Sequence, residues 1–372
     1  MAIIGKLTYF WADFQNWIII YAVGLVLLTA SAWVIIRRLR HSGGKIITNL
    51  QISIWIFAFL LIHTLVGLEI YFRYDFDQTD NVFQIQTTKR WTDRHVVLNG
   101  FGYRDEQFSQ EKDLKETRIA VLGDSFTWGY GINNQANRYS DIIQDKLSVT
   151  CGEPDRIKTY TMALPGRNTR DHLDALRNMS HFNFDSVILG YYMDDASSAQ
   201  SVRHFQHCYH RVFSYRRNPI LKPILDNSFA LQYLWVRLYN RFFNPDYAKT
   251  CWDTNYASLY QDPEVWSRHL LELQQLINYT EDKNMNLAVV IFPFMNMVGP
   301  DYPAAKPAQR LTSFFEQQNI PVVNLAPLLS SYTPPQVMVS PRDFHANGFV
   351  HRLAAEKLME KIRGLDGFAC KV

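Results

Sequence analysis

Two long runs of apolar residues open the chain, and the remainder alternates between short apolar runs and amphipathic stretches. The first run, residues 17–36, is uncharged throughout and has the length of a helix that crosses a bilayer. The second, about residues 52–72, contains His63 and Glu69. We predict that residues 17–72 form a two-helix transmembrane hairpin behind an N-terminal tail of residues 1–16.

Each apolar run also has a simpler interpretation. A cleaved signal peptide fits the first run poorly, because no basic segment precedes it and Arg37-Arg38-Leu39-Arg40 follows it in place of a small-residue cleavage site. The second run could be a core helix of a soluble domain. His63 could be a functional group within the membrane, although a histidine packed between helices is the simpler explanation.

The basic residues near these runs lie mainly in the loop between them, at Arg37, Arg38, Arg40 and Lys45. The flanking segments carry only Lys6 on one side and Arg73 on the other before Lys89. Because positive charge favours the cytoplasmic side, the loop is predicted to be cytoplasmic. Both termini and the large C-terminal domain then lie across the membrane.

Beyond the apolar runs, the pattern predicts a connector over residues 73–116 and an α/β domain over residues 117–366. The predicted strands are residues 119–122, 159–163, 186–191, 287–292 and 322–325. The predicted helices are residues 137–147, 169–179, 263–281, 305–317 and 348–362. Alternating strands and helices indicate a parallel sheet in a three-layer α/β/α sandwich. The aromatic-rich stretch of about residues 196–262 is predicted to be an insertion that shapes the site.

The clearest chemical signal is an apolar strand that runs directly into Gly123-Asp124-Ser125. This arrangement would expose Ser125 at the end of a strand and beside a helix N-terminus, where free N–H groups can stabilise negative charge. A serine that only caps a helix is the alternative.

A second signal stands just before the last predicted helix, where Asp343 and His345 are two residues apart. A serine hydroxyl is a weak nucleophile near neutral pH, so it needs a general base that is oriented by a carboxylate. We expect Asp343 and His345 to lie in a turn and to supply both groups. Alone, such a pair is also common in polar loops and helix caps.

These blocks, in this order, resemble the SGNH (GDSL-type) hydrolase superfamily, in particular membrane-anchored bacterial esterases and O-acyltransferases. The resemblance covers about residues 95–365 and includes two further segments, residues 99–105 and 163–169. It implies a catalytic triad of Ser125, His345 and Asp343. It also implies an oxyanion hole from the N–H groups of Ser125 and Gly166, with Asp194 at the third position.

Asp194 departs from the family pattern, which has Asn where this chain reads Tyr191-Tyr192-Met193-Asp194-Asp195. The Asn amide donates a hydrogen bond to the oxyanion, whereas an ionised carboxylate only accepts. Three interpretations stay open: Asp194 is protonated and still donates, a neighbour such as Asn168 replaces it, or activity is weak or absent.

Composition sets further bounds. With 38 basic and 35 acidic residues the net charge is +3, which does not require a nucleic-acid partner. No cofactor or metal is predicted, although His204, His207, Cys208 and His210 form a cluster that could bind a transition metal. Four cysteines on the outer side could form up to two disulfides with three possible connectivities: Cys151, Cys208, Cys251 and Cys370.

Together these features predict a serine esterase or O-acyltransferase that is anchored in the bacterial inner membrane and acts in the periplasm on acyl esters, above all acetyl esters, of envelope glycans or lipids. The resemblance also implies a multi-span membrane acyltransferase as a partner. The alternative is an inactive subunit that keeps the fold and helps to assemble such a complex. Phosphoryl chemistry is disfavoured because no Gly-rich phosphate cradle is present.

Overall fold

The structure, a computed structural model, describes residues 21–24, 26–27, 29–34, 37–38, 45–81, 85–152, 156–196, 212–243 and 260–369. It contains two compact units. One comprises residues 1–77 with 216–237, and the other comprises residues 78–215 with 238–372.

Among the described residues from Lys45 onward, seven strands and twelve α-helices have defined bounds. The strands are β1 (Thr117–Gly123), β2 (Ile157–Ala163), β3 (Ser186–Tyr192), β4 (Asn286–Phe292), β5 (Val322–Asn324), β6 (Met338–Ser340) and β7 (Asp343–Ala346). The helices are α1 (Lys45–Ile70), α2 (Gln86–His95), α3 (Ser125–Trp128), α4 (Tyr139–Cys151), α5 (Thr169–Asn178), α6 (Leu221–Asn227), α7 (Phe229–Phe243), α8 (Pro263–Asp282), α9 (Ala305–Glu316), α10 (Leu325–Leu328), α11 (Pro334–Val337) and α12 (Gly348–Ile362).

The larger unit is built on a parallel sheet with the strand order β2-β1-β3-β4-β5. All five predicted strands and all five predicted helices are present, with ends that differ by a few residues. Because parallel strands need crossover connections, helices follow β1 to β4 and pack on the sheet. The parallel α/β fold that the sequence predicts is therefore confirmed.

Each sheet face has its own apolar core. On β1, Ala120 and Leu122 join a cluster with α5, α8 and α9, whereas Ile119 and Val121 join a cluster with α4 and α12. Successive strand residues point to opposite faces, so a continuous apolar strand supplies both cores. This arrangement accounts for the three layers.

The predicted connector contributes to the same unit. It contains α2, and Arg104 is almost fully buried after it. The Arg104 guanidinium donates to the carbonyls of Gly129 and Ile132, each at 2.6 Å, and lies over the rings of Trp91 and Trp128. It therefore fixes the turn that follows α3.

The smaller unit contains α1, which continues as a π-helix over Tyr71–Asp75, and the α6–α7 region. In the described part of the chain, one helix, Leu50–Asp75, is long and apolar enough to cross a membrane, and none of its apolar window is buried. That exposure disfavours a core helix. A shorter apolar stretch, Tyr21–Val34, covers part of the first predicted run. The two-helix hairpin as a whole stays a prediction.

His63 lies in α1, where its Nδ1 stands 2.8 Å from the carbonyl oxygen of Phe59 and must donate to it. The two rings are 4.0 Å apart. This geometry favours a packing role for His63. The His204, His207, Cys208 and His210 cluster lies outside the described residues.

Cys151, at the end of α4, is disulfide-bonded. The other three cysteines, Cys208, Cys251 and Cys370, lie outside the described residues.

Candidate active site

Ser125 is the first residue of α3, directly after β1 ends at Gly123. A Cβ at Gly123 would lie 2.0 Å from Thr127 Oγ1, and a Cβ at its cross-strand partner Gly190 would lie 2.1 Å from the same atom. Only glycine allows α3 to turn back so closely over the sheet. The close approach holds Ser125 at the carboxyl edge of the strands.

Asp343 and His345 lie on a short strand, β7, which pairs antiparallel with β6. The turn expected at this position is therefore wrong. Residues two apart on a strand point to the same side, so the Asp343 carboxylate meets the His345 ring. The Asp343 Oδ1 atom lies 2.5 Å from His345 Nδ1 and also accepts from the His345 N–H at 3.1 Å.

The structure brings Ser125, His345 and Asp343 together although the serine and the histidine are 220 residues apart. His345 Nε2 lies 2.8 Å from Ser125 Oγ. Because Nδ1 donates to Asp343, Nε2 is left as an acceptor for the serine hydroxyl. Asp124 Oδ2 also lies near Ser125 Oγ, but at 3.4 Å it is the weaker acceptor. The three side chains are thus linked in the order that nucleophilic catalysis requires.

Two residues of the predicted connector hold Asp343 from behind. Thr79 Oγ1 donates to Asp343 Oδ2, and Asn81 Oδ1 accepts from the Phe344 N–H at 3.2 Å. The Asn81 N–H donates to the Arg342 carbonyl at 2.9 Å. Thr79 and Asn81 are both buried. The sequence pattern does not indicate these residues, since no motif surrounds them.

Replacing Thr79 with Val should lower kcat about 10- to 100-fold with little change in KM, because one charge-assisted hydrogen bond to Asp343 is lost while the shape is kept. Thr79→Ser keeps the hydroxyl and should restore most of kcat. Steady-state kinetics on an aryl acetate measures both. An equal loss in the two variants would contradict this positioning role.

The oxyanion candidates lie on neighbouring turns. As the first residue of α3, Ser125 has an N–H that no carbonyl within the helix can accept. The Leu164 N–H donates to the Gly123 carbonyl at 3.3 Å, which holds the loop after β2 beside Ser125. Gly166, on that loop, is exposed and has a φ of 75°, a left-handed conformation that favours glycine.

Asn168 has a structural task of its own. Its side chain caps α5 by accepting from the N–H groups of Arg170 and Asp171, and the Asp171 carboxylate closes a capping box. These two hydrogen bonds hold the Asn168 Oδ1 atom toward the first turn of α5.

Asp194 follows β3 and is half-buried. Because Gly190 of β3 is in register with Gly123 of β1, Asp194 lies at the same sheet edge as Ser125. Its turn is held by the Met193 N–H, which donates to Phe292 at 3.2 Å, and by the Tyr260 hydroxyl, which donates to the Met193 carbonyl at 2.8 Å. The backbone at this position is well supported.

Three buried ionisable groups lie behind these turns. Burial, together with the neighbouring Asp195 carboxyl, raises the pKa of Asp124 to about 7. Burial also raises the pKa of Asp195 well above its ordinary value. The Tyr192 N–H, which donates to this carboxyl, lowers the pKa by a smaller amount. His172, whose pKa burial lowers to about 4, stands 3.4 Å from Asp195 without hydrogen-bond alignment. The surroundings therefore favour the protonated form of Asp195 and the uncharged form of His172.

Asp124→Asn should stabilise the protein increasingly as pH rises. Between its ordinary pKa of 3.8 and its folded pKa of about 7, Asp124 holds a proton only in the folded chain, so folding stability falls with rising pH and levels off above that window. Asn removes this loss, worth at most about 1.4 kcal/mol per pH unit, and its Oδ1 can still accept from the Phe126 N–H.

The free energies of unfolding of Asp124→Asn and of the unsubstituted protein, compared at acidic and at mildly alkaline pH, measure the effect. The control is Asp145→Asn, at an exposed position. A difference between Asp124→Asn and the unsubstituted chain that stays constant with pH would contradict this prediction.

Several solved structures are similar to this chain. The lipase Lip_vut3 from a goat rumen metagenome is 14% identical, with a TM-score of 0.41 over 67% of this chain and 98% of that one. A catalytic mutant of the acetylxylan esterase Axe2 from Geobacillus stearothermophilus is 13% identical, with a TM-score of 0.40 over 70% and 100%. The esterase EstA from a Pseudoalteromonas species is 13% identical, with a TM-score of 0.38 over 67% and 97%. No protein-family model and no curated protein sequence matches the chain.

The fold and the three linked side chains belong to the same unit of the chain. A parallel α/β sheet carries a Ser-His-Asp arrangement whose members come from the Gly-Asp-Ser block and from the block before the last helix. This arrangement is the one that the sequence resemblance to the SGNH (GDSL-type) hydrolase superfamily predicts.

Proposed function

We propose that the chain is a membrane-anchored serine esterase or O-acyltransferase that acts on acyl esters, above all acetyl esters, of the cell envelope. The observation that carries the proposal is the linked set of Ser125, His345 and Asp343, at 2.8 Å and 2.5 Å. A buried serine capping a helix would not require an imidazole and a carboxylate in this order.

In the first step, Ser125 Oγ attacks the acyl carbonyl while His345 Nε2 takes its proton. Asp343 holds the ring orientation and stabilises the imidazolium. The N–H groups of Ser125 and Gly166 receive the oxyanion. Collapse of the tetrahedral intermediate breaks the ester bond, and His345 returns the proton to the leaving alcohol.

The second step discharges the acyl group from Ser125. His345 takes a proton from the acceptor while the acceptor oxygen attacks the acyl carbon. The bond between that carbon and Ser125 Oγ then breaks, and His345 returns the proton to Ser125 Oγ. Water as acceptor makes the reaction ester hydrolysis, and a sugar hydroxyl makes it acyl transfer. Mass spectrometry of the acyl adduct on Ser125, followed as water or glycan discharges it, distinguishes the two.

Two observations support an envelope location. No residue of the apolar window in the helix Leu50–Asp75 is buried, as a membrane anchor requires. The disulfide at Cys151 fits an oxidising compartment, which for a bacterial inner-membrane protein is the periplasm. A multi-span membrane acyltransferase as the donor of acyl groups is a further part of this proposal and rests on the family resemblance.

A second candidate function is favoured by Asp194. If its carboxylate prevents oxyanion binding, the chain would act as a binding or assembly subunit that has lost turnover. Reaction with a serine-directed reagent separates the candidates, since an inactive scaffold does not activate Ser125.

We expect a fluorophosphonate to label the folded protein, and Ser125→Ala to abolish both labelling and hydrolysis of a short-chain aryl acetate. The substitution removes the nucleophile and little volume. Ser180→Ala, at an exposed serine, serves as control and should keep both activities. Unchanged hydrolysis by Ser125→Ala would reject the nucleophile, and no labelling of the unsubstituted protein would favour the scaffold.

A further inference from the structure

The C-terminal end of the apolar helix is joined to α7 by a buried carboxylate. Glu69 is 4% exposed, and its two oxygens accept from Ser228 Oγ at 2.6 Å, the Ala230 N–H at 2.9 Å and the Phe229 N–H at 3.1 Å. A carboxylate that accepts the first N–H groups of a helix replaces the hydration they would otherwise need. The first turn of α7 is therefore held against the Glu69 side chain.

Arg73, one helical turn after Glu69, binds the end of α6 as well as Glu69. Its Nε donates to Glu69 at 2.8 Å, its Nη2 donates to the Asn227 carbonyl at the end of α6 at 2.7 Å, and its guanidinium lies over the Phe229 ring. Phe72 also packs on Tyr233 of α7, with ring centroids 4.3 Å apart. The end of the apolar helix and the α6–α7 junction thus form one packed joint.

The segment formed by α6 and the residues just before it exposes both apolar and basic side chains. Ile220 is 71% exposed and Ile224 is 48% exposed, and Arg217 and Lys222 of the same segment are exposed as well. These four residues are called the α6 surface below. The segment is ordered at its start, because Asn218 Oδ1 accepts from the Ile220 N–H at 2.9 Å.

We propose that the α6 surface lies on the outer leaflet of the bilayer and contacts anionic phospholipid head groups. The proposal rests on the membrane anchor of the proposed function. With seven residues, α6 is about 10 Å long, and its last carbonyl is held at the end of the apolar helix, so α6 lies within or beside the polar layer of the membrane.

The composition of the surface favours lipid as the occupant. Exposed isoleucines beside basic side chains are typical of helices that lie in the membrane interface, where apolar residues enter the acyl boundary and Lys or Arg contacts phosphate. The joint at Glu69 and Arg73 makes the surface continuous with the anchor. The smaller unit would then contact the membrane through two helices, one that spans it and one at its interface.

Fluorescence quenching tests the proposal on the full chain in vesicles of phosphatidylcholine and phosphatidylglycerol. An environment-sensitive dye is attached to Ile224→Cys, to Phe57→Cys in the apolar helix, and to Leu114→Cys, an exposed position of the larger unit. Spin-labelled lipids with shallow or deep quenchers report depth. The unsubstituted chain, labelled in the same way, gives the background.

We expect deep quenching at Phe57→Cys, shallow quenching at Ile224→Cys at least threefold above that at Leu114→Cys, and a marked loss of the Ile224→Cys signal in Arg217→Glu/Lys222→Glu. If Ile224→Cys behaves like Leu114→Cys while Phe57→Cys is quenched, the interfacial contact is rejected and the anchor stands. If Phe57→Cys is not quenched, the membrane anchor itself fails. Protection of Ile224→Cys that does not depend on lipid quenchers would indicate a protein occupant instead and would overturn the proposal.

Discussion

Replacing His345 with Ala is expected to lower kcat for an aryl acetate about 10⁴-fold or more. His345 is the group that links the other two members of the triad, at 2.8 Å from Ser125 Oγ and 2.5 Å from Asp343 Oδ1. Without it the serine proton has no acceptor of suitable strength, since Asp124 Oδ2 lies at 3.4 Å. KM should change much less, because substrate contacts elsewhere are kept.

The matched control is His181→Ala, which removes an exposed imidazole. His345→Ala also leaves a gap beside the Phe126 and Tyr130 rings, so His345→Gln, which fills more of that space, should be equally inactive if chemistry rather than packing is lost. Circular dichroism and melting confirm that each variant is folded. Near-normal kcat in either His345 variant would contradict the assignment.

The core of the fold follows from local sequence patterns. Continuous apolar strands such as residues 117–123 can only be buried on both faces, so a parallel sheet between helix layers is the solution that the pattern allows. The meeting of Ser125 with His345 depends on this topology, because the carboxyl ends of parallel strands share one edge and the last helix returns to it. The family resemblance indicated the partners, and the sheet order explains why they meet.

Other features of the site depend on tertiary contacts that no local pattern reveals. Thr79 and Asp343 are joined across 264 residues, and nothing around Thr79 distinguishes it from other polar connector residues. The strand β7 is short and polar, so its local sequence predicts a turn, and only its pairing with the backbone of β6 makes it a strand. The residues 216–237 belong with the apolar helix because Glu69 and Arg73 bind their backbone, and these contacts are equally long in range.

Burial also changes the charge of the site in a way that composition hides. Asp124, Asp194 and Asp195 would place up to three negative charges near a developing oxyanion. Because burial raises the pKa of Asp195 well above its ordinary value and that of Asp124 to about 7, the site carries less negative charge at neutral pH than its residues suggest. An oxyanion can form beside neutral acids far more easily than beside carboxylates.

Asp194 is the position where a single change should increase activity. We expect Asp194→Asn to raise kcat about 100- to 1000-fold, since one oxyanion donor has an effect of this size and an amide donates at any pH. The backbone needs no rearrangement, because Tyr260 and Phe292 hold the preceding Met193 by its own carbonyl and N–H. KM should change little, as the new bond forms fully only with the tetrahedral intermediate.

Steady-state kinetics of Asp194→Asn on the same aryl acetate tests this, with Asp174→Asn, at a side chain 57% exposed on α5, as control for the loss of one negative charge. A gain shared by both variants would point to general electrostatics. A gain below tenfold in Asp194→Asn alone would mean that Asp194 already donates as a protonated acid or that the oxyanion is bound without this position. A large gain confined to Asp194→Asn would show that the native carboxylate restrains an otherwise complete acyl-transfer site, since the triad and the loop of Gly166 are unchanged in that variant.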